Sequence, residues 1–258
     1  EIPFIAERIC GICGSVHAAA YAQAVESAGG IRVPRRAEYI RTLMLEIERV
    51  HSHLLWLGVA GHLIGFDTVF MQAWRVREQL MWLCERLTGN RKTYGMNLVG
   101  GVRRDFSAEA VQKTLKVLDD LEREWKALMA AIPGDATLMA RLQGLGVLSR
   151  EQAVDLCVTG PIARASGLPL DVRVDHPYAA YRELKSKRKV MGEGGDVLAR
   201  TLVRMEETLV AIELIREALA QMPGGPIFTE FTEEIPPGQE GIAAIEAPRG
   251  EVVHWVLT

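Results

Sequence analysis

The chain has 258 residues, 48% of them hydrophobic, and a formal net charge of −3 at pH 7. This length suffices to bury a substantial core, as one large domain or two small ones. Charges of both signs are spread along the sequence and give no electrostatic footprint for nucleic acid, so we expect no nucleic-acid partner. Four cysteines are too few for a disulfide framework, which favours a reducing, cytoplasmic environment.

A pair of cysteines lies at the start of the first predicted helix. Cys10 and Cys13 are followed by His17 and by an alanine-rich segment that ends at Gly29 and Gly30. This pattern predicts a helix with a glycine C-terminus, whose N-terminal turn carries both thiols. Free backbone N–H groups and the helix dipole at that position lower a thiol pKa and favour the thiolate, which binds soft metals. His17 is placed to donate a ring N–H to the sulfur of Cys13.

A single C-x-x-C leaves several interpretations open. A structural zinc site needs two further ligands at close spacing, and the sequence has no second such pair. A thioredoxin-like redox pair is typical of a βαβ unit, whereas the flanking pattern here is helical. The spacing also allows two small buried residues without a chemical role.

The rest of the chain is mainly helical by its hydrophobic periodicity. Apolar residues recur at three- and four-residue steps after Pro34, and glycines at 58, 61 and 65 are expected to break or loosen this helix. The least polar run, residues 54–66, is too short to span a bilayer. The helices predicted after the first one are a long helix from 34, then 67–88, 107–132, a short helix after 149, and about 195–221.

Isolated histidines and cysteines within these helices are predicted to pack in the core. His51 and His53 lie in the long helix, where a packed histidine is a more common outcome than a ligand. Cys84 and Cys157 are each surrounded by a helical pattern, which indicates small buried residues. Neither has a second cysteine near it with which to form a metal site.

Three segments lack helical periodicity. Residues 91–105 form a glycine-punctuated connection that could hold a short strand, 160–178 resemble a loop, and KSKRK at 185–189 is most simply a solvated loop. From Gly241 onward, apolar and polar residues alternate around a Pro-Arg-Gly turn, which predicts a β-hairpin. Judged by composition alone, Arg249 in that turn is a surface residue.

Several motifs together resemble one protein family. The pattern R-x-C-G-x-C-x-x-x-H is similar to the first metal-binding motif of [NiFe]-hydrogenase large subunits. The resemblance covers about Glu7 to Thr258 and is closest to the energy-converting, complex-I-related group, of the formate hydrogenlyase type. It implies a mainly α (α+β) fold, a long-helix bundle of the hydrogenase large-subunit and complex I core-subunit type with a small C-terminal β-hairpin. The further matching blocks are VPRRAEYIR, LEIERVHSHLLWLG, GFDTVFMQ, TGNRKTYGMNLVGGVRRD, VTGPIARASG, RVDHPY and EAPRGEVVHW.

The resemblance implies a nickel–iron centre at the cysteine pair. Cys10 would be a terminal nickel ligand, Cys13 a thiolate bridging nickel and iron, and His17 the hydrogen-bond partner of these ligands. The iron would carry carbon monoxide and cyanide ligands supplied by maturation proteins. Soft sulfur ligands suit a nickel ion that changes oxidation state, and the implied reaction interconverts dihydrogen with protons and electrons.

The same resemblance implies that the C-terminal hairpin lines the site. Ala247, Pro248 and Arg249 would face the cofactor, with the guanidinium donating towards an iron-bound cyanide. A planar cation that keeps its proton suits this role. Asp67, in the GFD motif, is expected near this arginine, the alternative being a buried carboxylate at a helix terminus.

The implied partners are an iron–sulfur small subunit and the membrane-arm subunits of a hydrogenase complex. These would hold the protein at the inner face of the cell membrane, on the cytoplasmic side. The electron donor, whether formate, ferredoxin or carbon monoxide dehydrogenase, is not determined by these residues.

Two parts of the family pattern are missing from the sequence. The family supplies two further nickel thiolates from a second C-x-x-C near its C-terminus, and a proton-relay glutamate from an N-terminal region; Glu7 is not that glutamate. The chain also begins at Glu1 without a methionine. We therefore expect residues 1–258 to form a single partial domain, the central part of a large subunit, with half the metal site, no bound cluster and no activity of its own.

Two other functions fit parts of the pattern. The homologous core subunit of complex I has the same implied fold, uses its cavity for quinone without nickel–iron, and lacks the cysteine pair. A non-catalytic helical scaffold that docks an iron–sulfur partner is the third hypothesis. The presence of Cys10, Cys13 and His17 together favours the hydrogenase.

Overall fold

The computed structural model describes residues 1–231 and 234–258. Four long helices form the bundle, and short helices and two small antiparallel ribbons surround it. The elements are α1 (Ile2–Ala6), α2 (Gly14–Gly29), α3 (Arg35–Leu63), α4 (Asp67–Thr88), β1 (Asn97–Leu98), β2 (Gly101–Val102), α5 (Ala108–Ala131), α6 (Ala136–Leu142), α7 (Arg150–Asp155), α8 (Gly160–Ala165), α9 (Val172–Asp175), a 3₁₀ turn (Ala179–Arg182), α10 (Val197–Gln221), β3 (Glu240–Ala247) and β4 (Gly250–Leu257).

The helix that follows the cysteine pair forms as predicted. Cys13 is the N-cap of α2, and Gly30 ends the helix in the left-handed conformation with φ 60°. The N–H of Ile31 donates to the carbonyl of Glu26, which satisfies a carbonyl of the last turn. All alanines of α2 except Ala28 are fully buried, so their small side chains allow neighbouring backbone to approach closely.

The central helix, α3, is longer than the glycine pattern predicts. It continues through Gly58 and Gly61 and ends before Gly65, whose φ is 76°. A Cβ at Gly58 would lie 3.1 Å from Nε1 of Trp74, and one at Gly61 would lie 3.1 Å from Val69. The expectation that these two glycines break the helix is wrong, because they are the positions where α4 packs closely against α3.

The bundle core lies between α3 and its neighbours α4 and α10, with α5 packed on both of these. Ser107 caps α5, accepting a hydrogen bond from the N–H of Ala110, as predicted. The indole N–H of the buried Trp125 donates to the carbonyl of Met205 at 3.0 Å, which joins α5 to α10. The three- and four-residue spacing of apolar residues in the predicted helix 195–221 places Leu202 inward. It is 42% exposed, so that prediction is wrong.

The segment from 160 to 178, expected to be a loop, contains two short helices. Pro161 lies at the start of α8, and Asp171 caps α9 by accepting from the N–H of Arg173 at 3.0 Å. Helices of one or two turns are too short to produce a hydrophobic period, and side chains buried elsewhere in the protein hold them in place. The 185–189 segment is a loop, as predicted, and Arg188 and Lys189 form ion pairs with nearby carboxylates.

The two isolated cysteines differ in burial. Cys84 is fully buried, as predicted. Cys157 is exposed, which contradicts the prediction. It follows the end of α7 with a φ of 50°, and this left-handed conformation turns the chain away from the helix whose period indicated burial.

The C-terminal hairpin forms as predicted and lies against α2. Its strands pair in antiparallel register from Glu240 opposite Leu257 to Ala247 opposite Gly250, which leaves Pro248 and Arg249 in the turn. The hairpin approaches α2 so closely that a Cβ at Gly241 would lie 1.9 Å from the carbonyl oxygen of Ala24. The outer face of β4 leaves large apolar side chains exposed, among them Trp255 at 57%.

None of the helices within residues 1–231 and 234–258 combines the length and apolar character needed to cross a bilayer.

Candidate functional site

The two predicted ligand cysteines lie side by side on the turn before α2. Their sulfur atoms are 2.7 Å apart, and the Cys13 S–H donates to the sulfur of Cys10. The same sulfur accepts the backbone N–H groups of Ile12, at 3.4 Å, and of Cys13, at 3.3 Å. Both cysteines are partly exposed, so the pair can be reached from solvent.

The surroundings give the two thiols opposite acidities. Burial opposes ionisation of Cys10, but hydrogen bonds from Cys13 and the two amides, with the charge of Arg249, leave its pKa below the usual value. Burial raises the pKa of Cys13 well above its usual value, and Cys10 and Glu48 raise it further. The prediction that the helix N-terminus lowers a thiol pKa is confirmed for Cys10 and wrong for Cys13. Cys10 is thus the more acidic of the two thiols, and Cys13 is its hydrogen-bond donor.

A buried glutamate supports the start of the cysteine helix. The carboxylate of Glu48, from α3, accepts the backbone N–H groups of Ser15 at 2.8 Å and Val16 at 3.3 Å. The hydroxyl of Thr93 donates to it at 2.5 Å. Burial raises the pKa of Glu48 to about 7 despite these hydrogen bonds. Glu48 thus makes the hydrogen bonds that an N-cap side chain usually makes, and it fixes the orientation of the turn that carries both thiols.

The hairpin turn is anchored through its backbone. Arg49 of α3 donates to the carbonyls of Ala247, at 3.2 Å, and Glu246, at 2.6 Å. On the other side Gly160 packs on the turn, where a Cβ would lie 2.4 Å from the Cα of Gly250. Ala247 and Pro248 are buried and form a wall, while the Arg249 side chain is exposed. The positive charge of Arg249 contributes to the lowered pKa of Cys10 and opposes the rise in the pKa of Cys13, so the turn and the cysteine pair share one electrostatic environment.

His17 contacts a second histidine instead of a sulfur. Its Nδ1 is 3.1 Å from Nε2 of His254 on β4, and within residues 1–231 and 234–258 its ring has no hydrogen bond to Cys13. The expected bond from His17 to the cysteine sulfur is therefore not formed here. The reason is tertiary packing, because the hairpin brings His254 to the face of α2 on which His17 lies.

Asp67 lies on the surface at the start of α4. Its carboxylate is 71% exposed and lies 2.8 Å from Nδ1 of His62, one turn back in the chain. Within the described part of the chain it makes no hydrogen bond or ion pair with Arg249. The expectation of a buried carboxylate is therefore wrong, because the chain reverses at Gly65 on the surface of the bundle, while the expected position near the arginine stays a prediction.

A buried network of charges lies beneath the hairpin and is not apparent from sequence. Arg164 pairs with Glu207 and, at 2.9 Å, with Glu246 of β3. Arg173 pairs with Asp171 at 2.7 Å, and its guanidinium also contacts Glu46. The other participants are Arg49, His53 and Tyr181.

His53 takes part in this network as a neutral hydrogen-bond donor. Its Nε2 lies 3.1 Å from Glu207, and burial lowers its pKa to about 4. Burial alone raises the pKa of Glu207, but Arg164 and the hydrogen bond from His53 overcome this and hold that pKa far below its usual range. The prediction that His51 and His53 are packed core residues is confirmed.

The donor atoms of the cysteine pair fit a soft metal ion as far as the sulfurs are concerned. Two adjacent thiols, one of which has a lowered pKa, are suitable ligands for nickel, zinc or iron. Among the residues that the structure describes, no group of three or more histidine, cysteine or carboxylate side chains is arranged to hold a metal. The chain thus offers two neighbouring sulfur donor atoms, and the positive charge of Arg249 acts on both of them.

Sequence reasoning missed Glu48 and His254. Glu48 lies in an apolar helical stripe, and a carboxylate at such a position signals a buried partner. His254 alternates with exposed residues along β4, so its inward orientation could have been deduced from the hairpin register. What each side chain contacts was not predictable from either pattern.

Two sequence profiles match this chain. That of the respiratory-chain NADH dehydrogenase 49 Kd subunit matches residues 64–242, and that of nickel-dependent hydrogenases matches residues 1–75. The long-helix bundle with its C-terminal hairpin therefore belongs to the large-subunit class that these two groups of proteins share, and the C-x-x-C turn lies in the part matched by the hydrogenase profile.

Individual relatives place the chain within this class. It is 44% identical to formate hydrogenlyase subunit 5 of Escherichia coli over the whole chain, but spans 45% of that protein. It is 37% identical to the carbon monoxide-induced hydrogenase of Rhodospirillum rubrum, covering 98% of the chain and 70% of the relative. A subunit of an archaeal membrane-bound sulfane sulfur reductase has a TM-score of 0.92 and 34% identity, over 99% of this chain and 70% of that one.

The chain belongs to the [NiFe]-hydrogenase large-subunit family, in the energy-converting group related to complex I. This confirms the resemblance and the mainly helical fold predicted from the sequence. Membership in a nickel-dependent family implies a nickel–iron centre in the complete hydrogenases of this group.

Proposed function

We propose that this chain is the catalytic segment of the large subunit of a membrane-associated [NiFe] hydrogenase of the formate hydrogenlyase type, which interconverts dihydrogen with protons and electrons. The observation that carries the proposal is the pair of sulfurs, 2.7 Å apart, at the N-terminus of α2. Adjacent thiolates are the ligands that a redox-active soft metal requires. A purely structural role would not need one of the two thiols to have a lowered pKa.

The residues of the turn and the hairpin have separate roles in this proposal. Cys10 and Cys13 would hold the nickel–iron centre through their sulfurs, and its iron would carry carbon monoxide and cyanide. When bound, this centre supplies the place where dihydrogen is split heterolytically or formed. Arg249 orients anionic diatomic ligands with its planar donors and stabilises the thiolates by its charge. Ala247 and Pro248 form the apolar wall beside it.

We further propose that residues 1–258 are the central part of a longer large subunit, as a single partial domain. The chain supplies two sulfur ligands and spans less than half of the Escherichia coli relative. The other two nickel thiolates then belong to a further segment of the complete subunit. Two thiolates hold a nickel–iron cluster weakly, so residues 1–258 alone are expected to retain none and to be inactive.

The proposed partners are an iron–sulfur small subunit, membrane-arm subunits and maturation proteins, with the complex at the inner face of the cell membrane. Support comes from the surface beside the cysteine turn, where α1 and the residues after it expose Ile2, Ile5 and Ile9 at 53%, 67% and 64%. Apolar side chains grouped in this way are typical of a protein–protein interface. An electron-transfer partner docked there would lie next to the sulfurs.

The test is nickel content and hydrogen uptake in the complete subunit, expressed with its partner and maturation proteins. Cys10→Ser and Cys13→Ser are expected to lose nickel and to lower hydrogen-dependent dye reduction by more than about 100-fold, since a metal ligand is removed. Cys157→Ser is the matched control, being an exposed cysteine away from the pair, and should retain both. Retention of nickel in both ligand variants would refute the proposal.

A quinone-binding core subunit of complex I without nickel–iron is the second candidate, because the 49 Kd profile covers most of the chain. The cysteine pair argues against it, since quinone binding has no use for adjacent thiols. A quinone-analogue titration separates the two candidates. Saturable binding in a complete complex that contains no nickel would favour the complex I function, and a complex with neither nickel nor quinone binding would favour the scaffold hypothesis.

A further inference from the structure

His17 and His254 lie on the two elements that carry the proposed site. His17 is one turn beyond Cys13 on α2, and His254 is on β4, the strand that leaves the Arg249 turn. Their rings meet edge to face with centroids 5.4 Å apart, and Nδ1 of His17 is 3.1 Å from Nε2 of His254. Between neutral imidazoles this is a hydrogen bond, with one ring as donor and the other as acceptor. It links the sulfur-bearing helix directly to the arginine-bearing hairpin.

The orientation of His254 follows from the strand. Along β4, His254 is half-buried whereas its neighbours Val253 and Trp255 are exposed, so the histidine faces α2 and they face away. Burial lowers the pKa of both histidines, and the mutual charge of the pair lowers that of His17 further. Both rings are therefore neutral near pH 7, as the hydrogen bond requires.

Arg249 depends on this arrangement for its position. Within residues 1–231 and 234–258, its exposed side chain forms no hydrogen bond or ion pair that would fix it. Its location is set by the turn backbone, which Arg49 holds through the carbonyl of Ala247 and Gly160 supports by close packing. Neither of these contacts joins the hairpin to α2, where the sulfurs lie. The packing of β3 on α2 and the hydrogen bond of His254 do.

We propose that His254 is a positioning residue of the thiol site: by its hydrogen bond to His17 it holds the hairpin on α2 and so keeps the Arg249 guanidinium beside Cys10 and Cys13. The inference rests on the proposed function only where it assigns a use to the thiol site. The coupling between hairpin and helix is a property of the chain itself and can be measured without metal.

The electrostatic potential at the Cys10 sulfur reports the position of the arginine. Iodoacetate is anionic and iodoacetamide is neutral, so the ratio of their alkylation rates rises when a cation lies near the thiolate. The experiment uses metal-free protein with Cys157→Ser, to remove the exposed thiol, and follows Cys10 by peptide mass spectrometry. N-acetylcysteine supplies the reference ratio, and circular dichroism verifies the fold of each variant.

Arg249→Gln is expected to lower the ratio about fivefold, as for loss of one unit charge near a partly exposed site. His254→Phe, which keeps a ring but no hydrogen bond, should lower it at least threefold with Arg249 still present. His254→Gln should restore it, because the glutamine amide can place a donor or an acceptor where the imidazole Nε2 lies. Trp255→Phe, on the outward face of the same strand, should leave the ratio unchanged.

Two results overturn the inference, and they are distinguishable. If Arg249→Gln lowers the ratio but His254→Phe does not, His254 does not position the arginine and the proposed hydrogenase site is untouched. If Arg249→Gln itself leaves the ratio unchanged, the arginine is not beside the sulfurs and the proposed site fails as well. Should His254→Phe not fold, His17→Phe makes the same test from the other side. In the double variant with His17→Phe and His254→Phe, the two reductions of the alkylation ratio should not add, because both remove the same hydrogen bond.

Discussion

The network beneath the hairpin and the thiol pair beside it are both polar clusters in a helical bundle, but they are built differently. In the network, guanidinium and carboxylate groups such as Arg164 and Glu207 are fully buried and in direct contact. At the thiol pair, Cys10 and Cys13 are partly exposed, and Arg249 has no ion-pair partner within the described residues. The network holds the backbone of the turn, so the arginine side chain remains available to a ligand.

The difference shows that the stability of the bundle and its proposed chemistry depend on different groups. Charges buried in contact with one another contribute little net stability, but removing one partner leaves the others uncompensated. A partly exposed thiol or arginine can change without that penalty. The comparison predicts that substitutions in the network lower stability severely and that substitutions at the thiol pair affect function only.

The largest expected effect is that of Arg164→Met. It leaves Glu207 and Glu246 without their cation, and the free energy of unfolding should fall by about 3–5 kcal/mol, measured by urea denaturation. The matched control is Arg188→Met, which breaks an ion pair with Glu213 on the surface and should change stability by less than about 1 kcal/mol. Similar losses of stability in Arg164→Met and Arg188→Met would show that the buried ion pairs matter no more for stability than a surface pair.

The second prediction concerns pH. His53 has a pKa of about 4 in the folded chain, below the value of about 6.5 expected when unfolded. The unfolded chain therefore takes up this proton first, so stability should fall as the pH drops from about 6.5 to 4, by on the order of 2–3 kcal/mol.

Below that range, protonation of Glu207, whose folded pKa is depressed, continues the loss. His53→Gln removes the titrating group. It should flatten the dependence of stability on pH between about 6.5 and about 4, which are the unfolded and folded pKa values of His53. Denaturation curves at several pH values check this. An equal slope in His53→Gln would assign the pH dependence to other groups.

The third prediction concerns the contact between Gly160, at the start of α8, and the hairpin turn. Gly160 has a φ of 68°, and a Cβ there would meet the backbone of Arg249 and Gly250. Gly160→Ala should destabilise by about 2–3 kcal/mol, combining backbone strain with displacement of the turn. Gly144→Ala is the control for strain alone, because its φ is 70° and nothing lies within 4 Å. An equal fall of the thermal midpoint in Gly160→Ala and Gly144→Ala would mean that the hairpin turn shifts without a further loss of stability.

The smallest expected effect on stability is that of Cys10→Ser. The side chain is partly exposed and its sulfur mainly accepts local hydrogen bonds, so the free energy of unfolding should change by less than about 1 kcal/mol. The same variant should no longer contribute a ligand to nickel in the complete subunit. A loss of several kcal/mol would mean that the thiol pair is structural, and the contrast with the network would disappear.

Much of the scaffold was predictable because its signals are local. The ends of α2 at Cys13 and Gly30, and the Ser107 cap, depend on residues within one turn of each other. The burial of Cys157 was predicted wrongly, since the helical period was extended two residues beyond the end of α7 at Asp155. The continuation of α3 through Gly58 and Gly61 depends on α4, which no local pattern reveals.

What the sequence by itself determined is the composition of the site: two thiols on the turn before a helix, an arginine between the strands of a hairpin, and the family to which these motifs belong. Only the tertiary structure decided which groups meet. The partner of His17 is 237 residues away, and Glu48, from another helix, supports the cysteine turn. Local backbone preferences are encoded within a few residues, whereas contacts between distant side chains exist only once the helices and the hairpin have packed together.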